Sequence, residues 1–328
     1  MIWLRFQYGP KIGMGHAVRC LNLARALKAK GQEVGLLLDS SAPRLAGAED
    51  WPVIEMDKLT DFPEDGAIIF DISHAETRDS LPLWIKALSK AGRKTGVIDG
   101  LGLDAWNGRI KPDLVLTPYL MPANVLARSA KAWISGPQYA ILSEAYAEEP
   151  PALNSRKNSV LISIGGADPW ALTETALEAA LSASSIPRFD VRVVAGPQLS
   201  APRRAHLTTQ CKKTDVELLD APPSLHDLLC ASAVAVLGPG LTKYEAAACN
   251  TPAVILAPDE EALALNQPFA ESGLANVMDA SARNFAGQLS AAIASQASKR
   301  RSSWTGRSII DGKGSARAAD AILEALVE

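Results

Sequence analysis

A chain of 328 residues, 48% hydrophobic and 21% charged, has the composition of a globular protein with room for about two domains, which excludes disordered, collagen-like and coiled-coil architectures. Its 33 Lys and Arg against 36 Asp and Glu give a net charge of −3 without a long single-sign run, and this argues against a nucleic-acid groove. No segment approaches the ~18 uninterrupted apolar residues of a membrane span, and Met1-Ile2-Trp3-Leu4-Arg5 enters a strand rather than a signal peptide, so a cytoplasmic chain without membrane insertion is expected.

Short apolar runs alternate with longer helical patterns in the first half. Strands are predicted at 2–6, 34–38, 67–70, 95–98 and 114–117, with helices at 16–30 and 80–91. The first strand runs into Gly9-Pro10-Lys11-Ile12-Gly13-Met14-Gly15-His16, a glycine-rich turn opening a helix. Gly13 and Gly15 let backbone approach a ligand, and exposed amides at a helix start favour anions, but the third glycine of a dinucleotide fingerprint and the lysine of a P-loop are missing. His16 in the first helical turn meets the positive end of the helix dipole, which favours the neutral imidazole that a general base needs; a loop-supporting hydrogen bond is the structural alternative. His206 and His226 fall in surface patterns and read as structural, while His74 follows a strand end. Asp39, Asp71 and Asp99 each close an apolar strand pattern, where carboxylates either converge on a ligand crevice or make Asx turns and helix caps.

The polar stretch 143–158, with its Pro150-Pro151 pair, predicts a domain boundary: a first domain over 1–147, a linker over 148–158 and a second domain over 159–328. Strands are predicted there at 160–164, 191–195, 216–219, 234–237 and 253–256, with helices at 171–182, 225–231, 241–249 and 260–271. The fold class is therefore α/β, two doubly wound Rossmann-like domains expected to face a central cleft. Gly165 and Gly166 after one strand offer backbone amides to a diphosphate. A second glycine pair, Gly238 and Gly240, precedes Leu241, Thr242 and Glu245. The carboxylate of Glu245 suits either vicinal ribose hydroxyls or its own helix dipole, and Asn266 and Gln267 suit either sugar hydroxyls or the surface. Cys20, Cys211, Cys230 and Cys249 form no C-x-x-C and show no histidine at metal-ligand spacing, so reduced, buried thiols and no metal are expected.

Four segments in order, Gly13-Met14-Gly15-His16-Ala17-Val18-Arg19-Cys20, Gly136-Pro137-Gln138-Tyr139-Ala140-Ile141-Leu142, Ser163-Ile164-Gly165-Gly166-Ala167-Asp168-Pro169 and Asp311-Gly312-Lys313-Gly314-Ser315-Ala316-Arg317, resemble the nucleotide-sugar hydrolases of pseudaminic acid biosynthesis, which release a 2,4-diacetamido-2,4,6-trideoxy-altrose from UDP. The resemblance spans almost the whole chain. It implies a glycosyltransferase-B-like fold, a UDP-sugar as small-molecule partner, no cofactor, metal-independent hydrolysis and a catalytic histidine at His16. Gly165, Gly166, the 238 to 242 turn and Glu245 would grip UDP, with Asn266 near the sugar; Gly13, Gly15, Arg19, Asp71, Asp99 and Gln267 are the further substrate-binding candidates. Several positions depart from the family pattern. Gln7 stands where an Asp is usual, Ser73 where an aromatic is, Gly100 where a second Asp is, and Ser143 where an Arg is, and the serine- and threonine-rich turn before the ribose glutamate becomes Gly238-Pro239-Gly240-Leu241-Thr242. Most of these lie on the sugar side and imply a different sugar or a lost activity. A glycosyltransferase and a nucleotide-sugar-binding protein without turnover are the competing readings.

Overall fold

The computed structural model describes residues 1–9, 12–72, 75–98, 111–121, 130–183, 188–298 and 306–327, and the chain divides into two units, Met1–Glu144 with Lys313–Glu328, and Ala145–Gly312. In the first unit the order is β1 (Ile2–Phe6), α1 (Gly15–Ala29), β2 (Val34–Leu38), β3 (Val53–Glu55), β4 (Ala67–Asp71), α2 (Ala75–Lys90), β5 (Thr95–Ile98), β6 (Leu114–Thr117) and β7 (Ala132–Ser135). These strands form one parallel sheet in the order β3-β2-β1-β4-β5-β6-β7.

Because both faces of a parallel sheet are covered, its central strands are mainly apolar, with Arg5 of β1 and Asp71 of β4 as buried charged exceptions, and period two decides which layer each side chain enters. Ile2, Leu4 and Phe6 of β1 join Cys20, Leu23 and Leu27 of α1 in one core, whereas Trp3 joins Phe70 of β4 and Leu81, Ile85 and Leu88 of α2 in the other.

The second unit carries β8 (Ser159–Ser163), α3 (Leu172–Ser182), β9 (Asp190–Ala195), α4 (Ala201–Thr214), β10 (Glu217–Asp220), α5 (His226–Ala231), β11 (Val234–Leu237), α6 (Thr242–Ala248), β12 (Ala253–Ala257), α7 (Glu260–Glu271), β13 (Ala275–Asp279) and α8 (Phe285–Ser298). Its sheet is again parallel, in the order β10-β9-β8-β11-β12-β13. Val160 and Ile162 of β8, Leu172 and Leu177 of α3, and Leu289 and Ile293 of α8 share its core.

Two domain expectations are corrected. The second domain does not run to residue 328: α9 (Gly314–Leu326) belongs to the first unit, where Ala318, Ala319, Ile322 and Leu326 enter the core with Leu27 and Leu114. Nor is 148–158 a free linker. Arg156 is buried, and its guanidinium donates to the carbonyls of Pro151, Leu229, Ser232 and Cys249 and to the Thr251 hydroxyl, which fixes this stretch within the second unit. Among the described residues no helix is long and apolar enough to cross a membrane.

Candidate functional site

In the first sheet the order reverses between β1 and β4, so the turn after β1 and the end of β4 flank the switch point where open α/β sheets leave a crevice. The turn after β1 is closed by reciprocal bonds, Gly9 N–H to Gly13 O at 3.2 Å and Gly13 N–H to Gly9 O at 2.7 Å. Gly9 and Gly13 take φ of +142° and +89°, a region other residues enter only under strain. The helix then starts at Gly15 behind Met14, which gives no side-chain cap, and no acidic residue stands in its first turn. The positive end of α1 therefore has no carboxylate of its own there.

In the first turn of α1, His16 meets the strand-end carboxylate. Its Nδ1 lies 2.7 Å from Asp71 Oδ1, while Arg19 donates to the same carboxylate from Nε at 2.7 Å and from Nη2 at 2.5 Å. His16 and Arg19 are three apart on α1, so both reach the one group. A carboxylate only accepts, so the Nδ1 contact places a proton on Nδ1; in the neutral ring Nε2 is then the acceptor. Arg19 Nη2 also lies 3.0 Å from Nδ1, a consequence of both groups converging on Oδ1. Asp71 is fully buried. Burial alone would raise its carboxyl, but the Arg19 charge, then His16 and the hydrogen bonds of both, hold it well below the usual carboxylate range. Arg19 is desolvated too, and Asp71 more than offsets that, so the guanidinium stays charged; Tyr119 lies over it at 5.4 Å.

This corrects the substrate-binding role expected of Arg19 and Asp71. Both are buried and committed to one another, with the Cys20 thiol also 3.5 Å from Asp71 Oδ2, so they hold His16 instead of facing a ligand. Of the strand-end carboxylates, Asp39 and Asp71 have separate partners: Asp39 accepts from Arg5 and from Gln7 Nε2, the latter at 3.1 Å. Asp99 and His74 lie outside the described residues. Gln7, at one departure from the family pattern, leaves its buried Oε1 without a hydrogen-bond partner.

The second unit repeats the arrangement at its own reversal of order, between β8 and β11. Gly165 takes φ of +108°. Behind it Asp168 caps α3, accepting from Leu172 N–H and Thr173 N–H at 3.0 Å each, so those amides are occupied and the Gly165-Gly166 backbone is what this turn has to offer. Gly238 has a packing reason: a Cβ there would sit 2.5 Å from the Ile164 carbonyl, whereas one at Gly240 would meet nothing within 4 Å. Leu241 and Thr242, half-buried, open α6.

Glu245 is half-buried as a residue, with its carboxyl enclosed beside the Tyr146 and Thr242 hydroxyls. Burial pushes it up to about 7, against the lowering effect of those two hydrogen bonds. Asn266 is corrected: it is 1% exposed, its Oδ1 accepts from Lys243 Nζ at 2.6 Å and its Nδ2 donates to Ala262 O at 2.6 Å, so its amide is spent inside the protein. Gln267 beside it is exposed. Lys243 also donates to the Pro239 carbonyl at 2.9 Å and lies 5.0 Å from the Phe269 ring; burial brings it down to about 7. It ties the glycine turn to α7, a role that a lysine between Thr242 and Tyr244 does not advertise.

All four cysteines are buried and free, as expected, yet the reading that none has a histidine at ligand spacing is wrong. His226 and Cys230 stand four apart on α5, hence on one face, and the fold adds Cys249, bringing the three ligand atoms within 4.8 Å of one another.

No protein-family model matches the chain. The spore coat polysaccharide biosynthesis protein SpsG of Bacillus subtilis (strain 168) is 24% identical over 349 residues, spanning 98% of this chain and 96% of its own. Among solved structures, Acinetobacter baumannii MurG superposes with a TM-score of 0.64 at 14% identity, covering 98% of this chain and 99% of its own. The spinosyn rhamnosyltransferase SpnG complexed with thymidine diphosphate gives 0.62 at 15% identity, covering 100% and 96%. At these identities the likeness establishes the fold, two parallel-sheet α/β units of the glycosyltransferase-B type.

Proposed function

We propose that the chain hydrolyses a UDP-linked amino or deoxy sugar to free sugar and UDP, from the cytoplasmic nucleotide-sugar pool, in the synthesis of a nonulosonic acid or surface polysaccharide. The observation that carries this reading is the His16 to Asp71 contact at 2.7 Å, which leaves Nε2 as a proton acceptor at the β1–β4 switch point. His16 Nε2 takes a proton from water, the water oxygen bonds to the anomeric carbon, and the bond from that carbon to the β-phosphate oxygen breaks with its electron pair going to UDP. The imidazolium that forms is stabilised by Asp71, whose own geometry is fixed by Arg19.

In the second unit the Gly165-Gly166 backbone and the 238 to 242 turn receive the diphosphate, Glu245 accepts from the ribose hydroxyls and Gln267 remains available to the sugar. Asn266 has no part. The strand-end carboxylates Asp39 and Asp71 are occupied by side-chain cations and amides, which suits a leaving group stabilised by backbone donors in place of a divalent ion. The polysaccharide-biosynthesis relative supports the metabolic setting, and a diphosphate nucleoside in a structural neighbour supports the ligand class.

Glycosyl transfer is the second reading, favoured by the structural neighbours, and requires only that an acceptor hydroxyl replace water at His16. Incubating the chain with UDP- and TDP-linked sugars in ¹⁸O water, with Mg²⁺ or Mn²⁺ added in parallel, tests both. Hydrolysis predicts UDP release without any acceptor, no label in the UDP and no acceleration by the ions. UDP release only when an acceptor alcohol is supplied would establish transfer, and label in the nucleotide would place the attack at phosphorus.

A further inference from the structure

We propose that His226, Cys230 and Cys249 form a binding site for a soft divalent cation, zinc in the first instance, that joins α5 to the C-terminal end of α6. No step of the proposed reaction passes through it.

The donor set and its spacing both fit. Two sulfurs and an imidazole nitrogen are the ligands zinc prefers, and ligands at ~2.0–2.1 Å (N) and ~2.3 Å (S) from a tetrahedral ion are about 3.6 Å apart. The His226 Nε2 to Cys230 Sγ distance is 3.6 Å. An independent observation concerns the far side of the ring: His226 Nδ1 lies 2.8 Å from Asp227 Oδ1. The carboxylate requires Nδ1–H there, so in the neutral ring Nε2 points its lone pair toward Cys230, the orientation that a carboxylate partner gives to metal-bound imidazoles. The Tyr146 ring, edge-on to His226 at 5.3 Å, fixes the imidazole plane further.

The charges also balance. Two thiolates and Asp227 bring three negative charges, against two on the cation and one on Arg156, whose guanidinium donates to the Cys249 carbonyl at 2.6 Å. Zinc binds cysteine as thiolate, so binding displaces the thiol protons into solvent. Cys230 and Cys249 are almost fully buried and the His226 side chain is 14% exposed, and these three residues leave one position of a tetrahedral ion to a further ligand. The cation would brace α5 against α6, whose first turn carries Glu245.

The test uses the full chain, reduced and stripped of metal, titrated with cobalt(II) and back-titrated with zinc(II). The site predicts one equivalent of cobalt with a thiolate-to-cobalt charge-transfer band of two-sulfur intensity, displaced by zinc, and a melting temperature that rises on zinc addition. Cys249→Ala should halve the band. Asp227→Ala alters a side chain that is 99% exposed, so folding is not at risk, and should keep the two-sulfur band while weakening zinc by ~10–100-fold. Absence of a charge-transfer band in the reduced parent, a band unchanged in both Cys230→Ala and Cys249→Ala, or a Cys230 to Cys249 disulfide whose reduction restores no cobalt binding would overturn the proposal.

Discussion

His16 Nδ1 and Asp71 Oδ1 are 2.7 Å apart across the end of β4, and because Asp71 can only accept, this contact assigns the ring's proton to Nδ1. The pair comes from two positions separated by 55 residues that the parallel register of β1 and β4 places side by side, Phe6 opposite Asp71.

Asp71→Asn tests that relationship through stability. It leaves the buried Arg19 without its counter-charge, which costs about 3–5 kcal/mol for a broken buried pair. The Asp71 carboxyl is depressed in the fold, so its contribution is fully present above the ordinary range near ~4 and is lost as pH falls through the folded value. Urea denaturation should therefore show a large gap between parent and variant at pH 7 that narrows below about pH 4. A gap of equal size at both pH values would mean that the carboxylate charge is not what stabilises.

Glu245 gives a pH dependence of opposite sign. Its carboxyl is raised to about 7, so its favourable contribution to stability is complete below the unfolded value near ~4.3 and is lost as pH rises through the folded one. If the ionised form accepts from ribose hydroxyls, affinity for UDP-N-acetylglucosamine, whose diphosphate does not titrate there, should increase as pH passes through about 7. Glu245→Ala should weaken binding about tenfold or more, from the loss of charge-assisted bonds, and flatten that profile. Calorimetric titrations with unchanged affinity and profile in the folded variant would remove Glu245 from the site.

The two glycines of the second turn separate packing from binding. Gly238→Ala places a methyl 2.5 Å from the Ile164 carbonyl and should cost about 1–3 kcal/mol of stability. Gly240→Ala meets nothing within 4 Å and should melt with the parent while binding UDP more weakly, if backbone there approaches the diphosphate. Equal UDP affinity in Gly240→Ala would move the diphosphate elsewhere.

The central strands were legible because each is a short, mainly apolar run between turn residues, and 2–6, 34–38, 95–98, 114–117 and 234–237 coincide with β1, β2, β5, β6 and β11. The edge strands β3 and β7 were not: they are short and partly exposed, and their pairing is set by neighbours across the sheet. The polar helix α4 buries only Leu207 and Cys211, too few for a periodic signal. Helix α9 was not predicted, and nothing in its own residues says which unit its Ala318 to Leu326 face will join. Within the site, His16 and the glycine turns carry local signatures, whereas the ion pair that absorbs Arg19 and Asp71, the burial of Asn266 against Lys243, and the approach of Cys249 to His226 and Cys230 depend on contacts between distant segments.

His16→Asn most directly tests the claim that His16 is the base. Asparagine keeps polarity and approximate size but cannot accept a proton near neutral pH, and general-base catalysis is worth about 10² to 10⁴ in rate. In a UDP-release assay on a UDP-sugar that the parent hydrolyses, the variant should lose at least about a hundredfold in rate while its UDP affinity and melting temperature stay close to the parent's. A variant that retains most of the parental rate, or a parent that releases UDP from no UDP-sugar at all, would contradict the account.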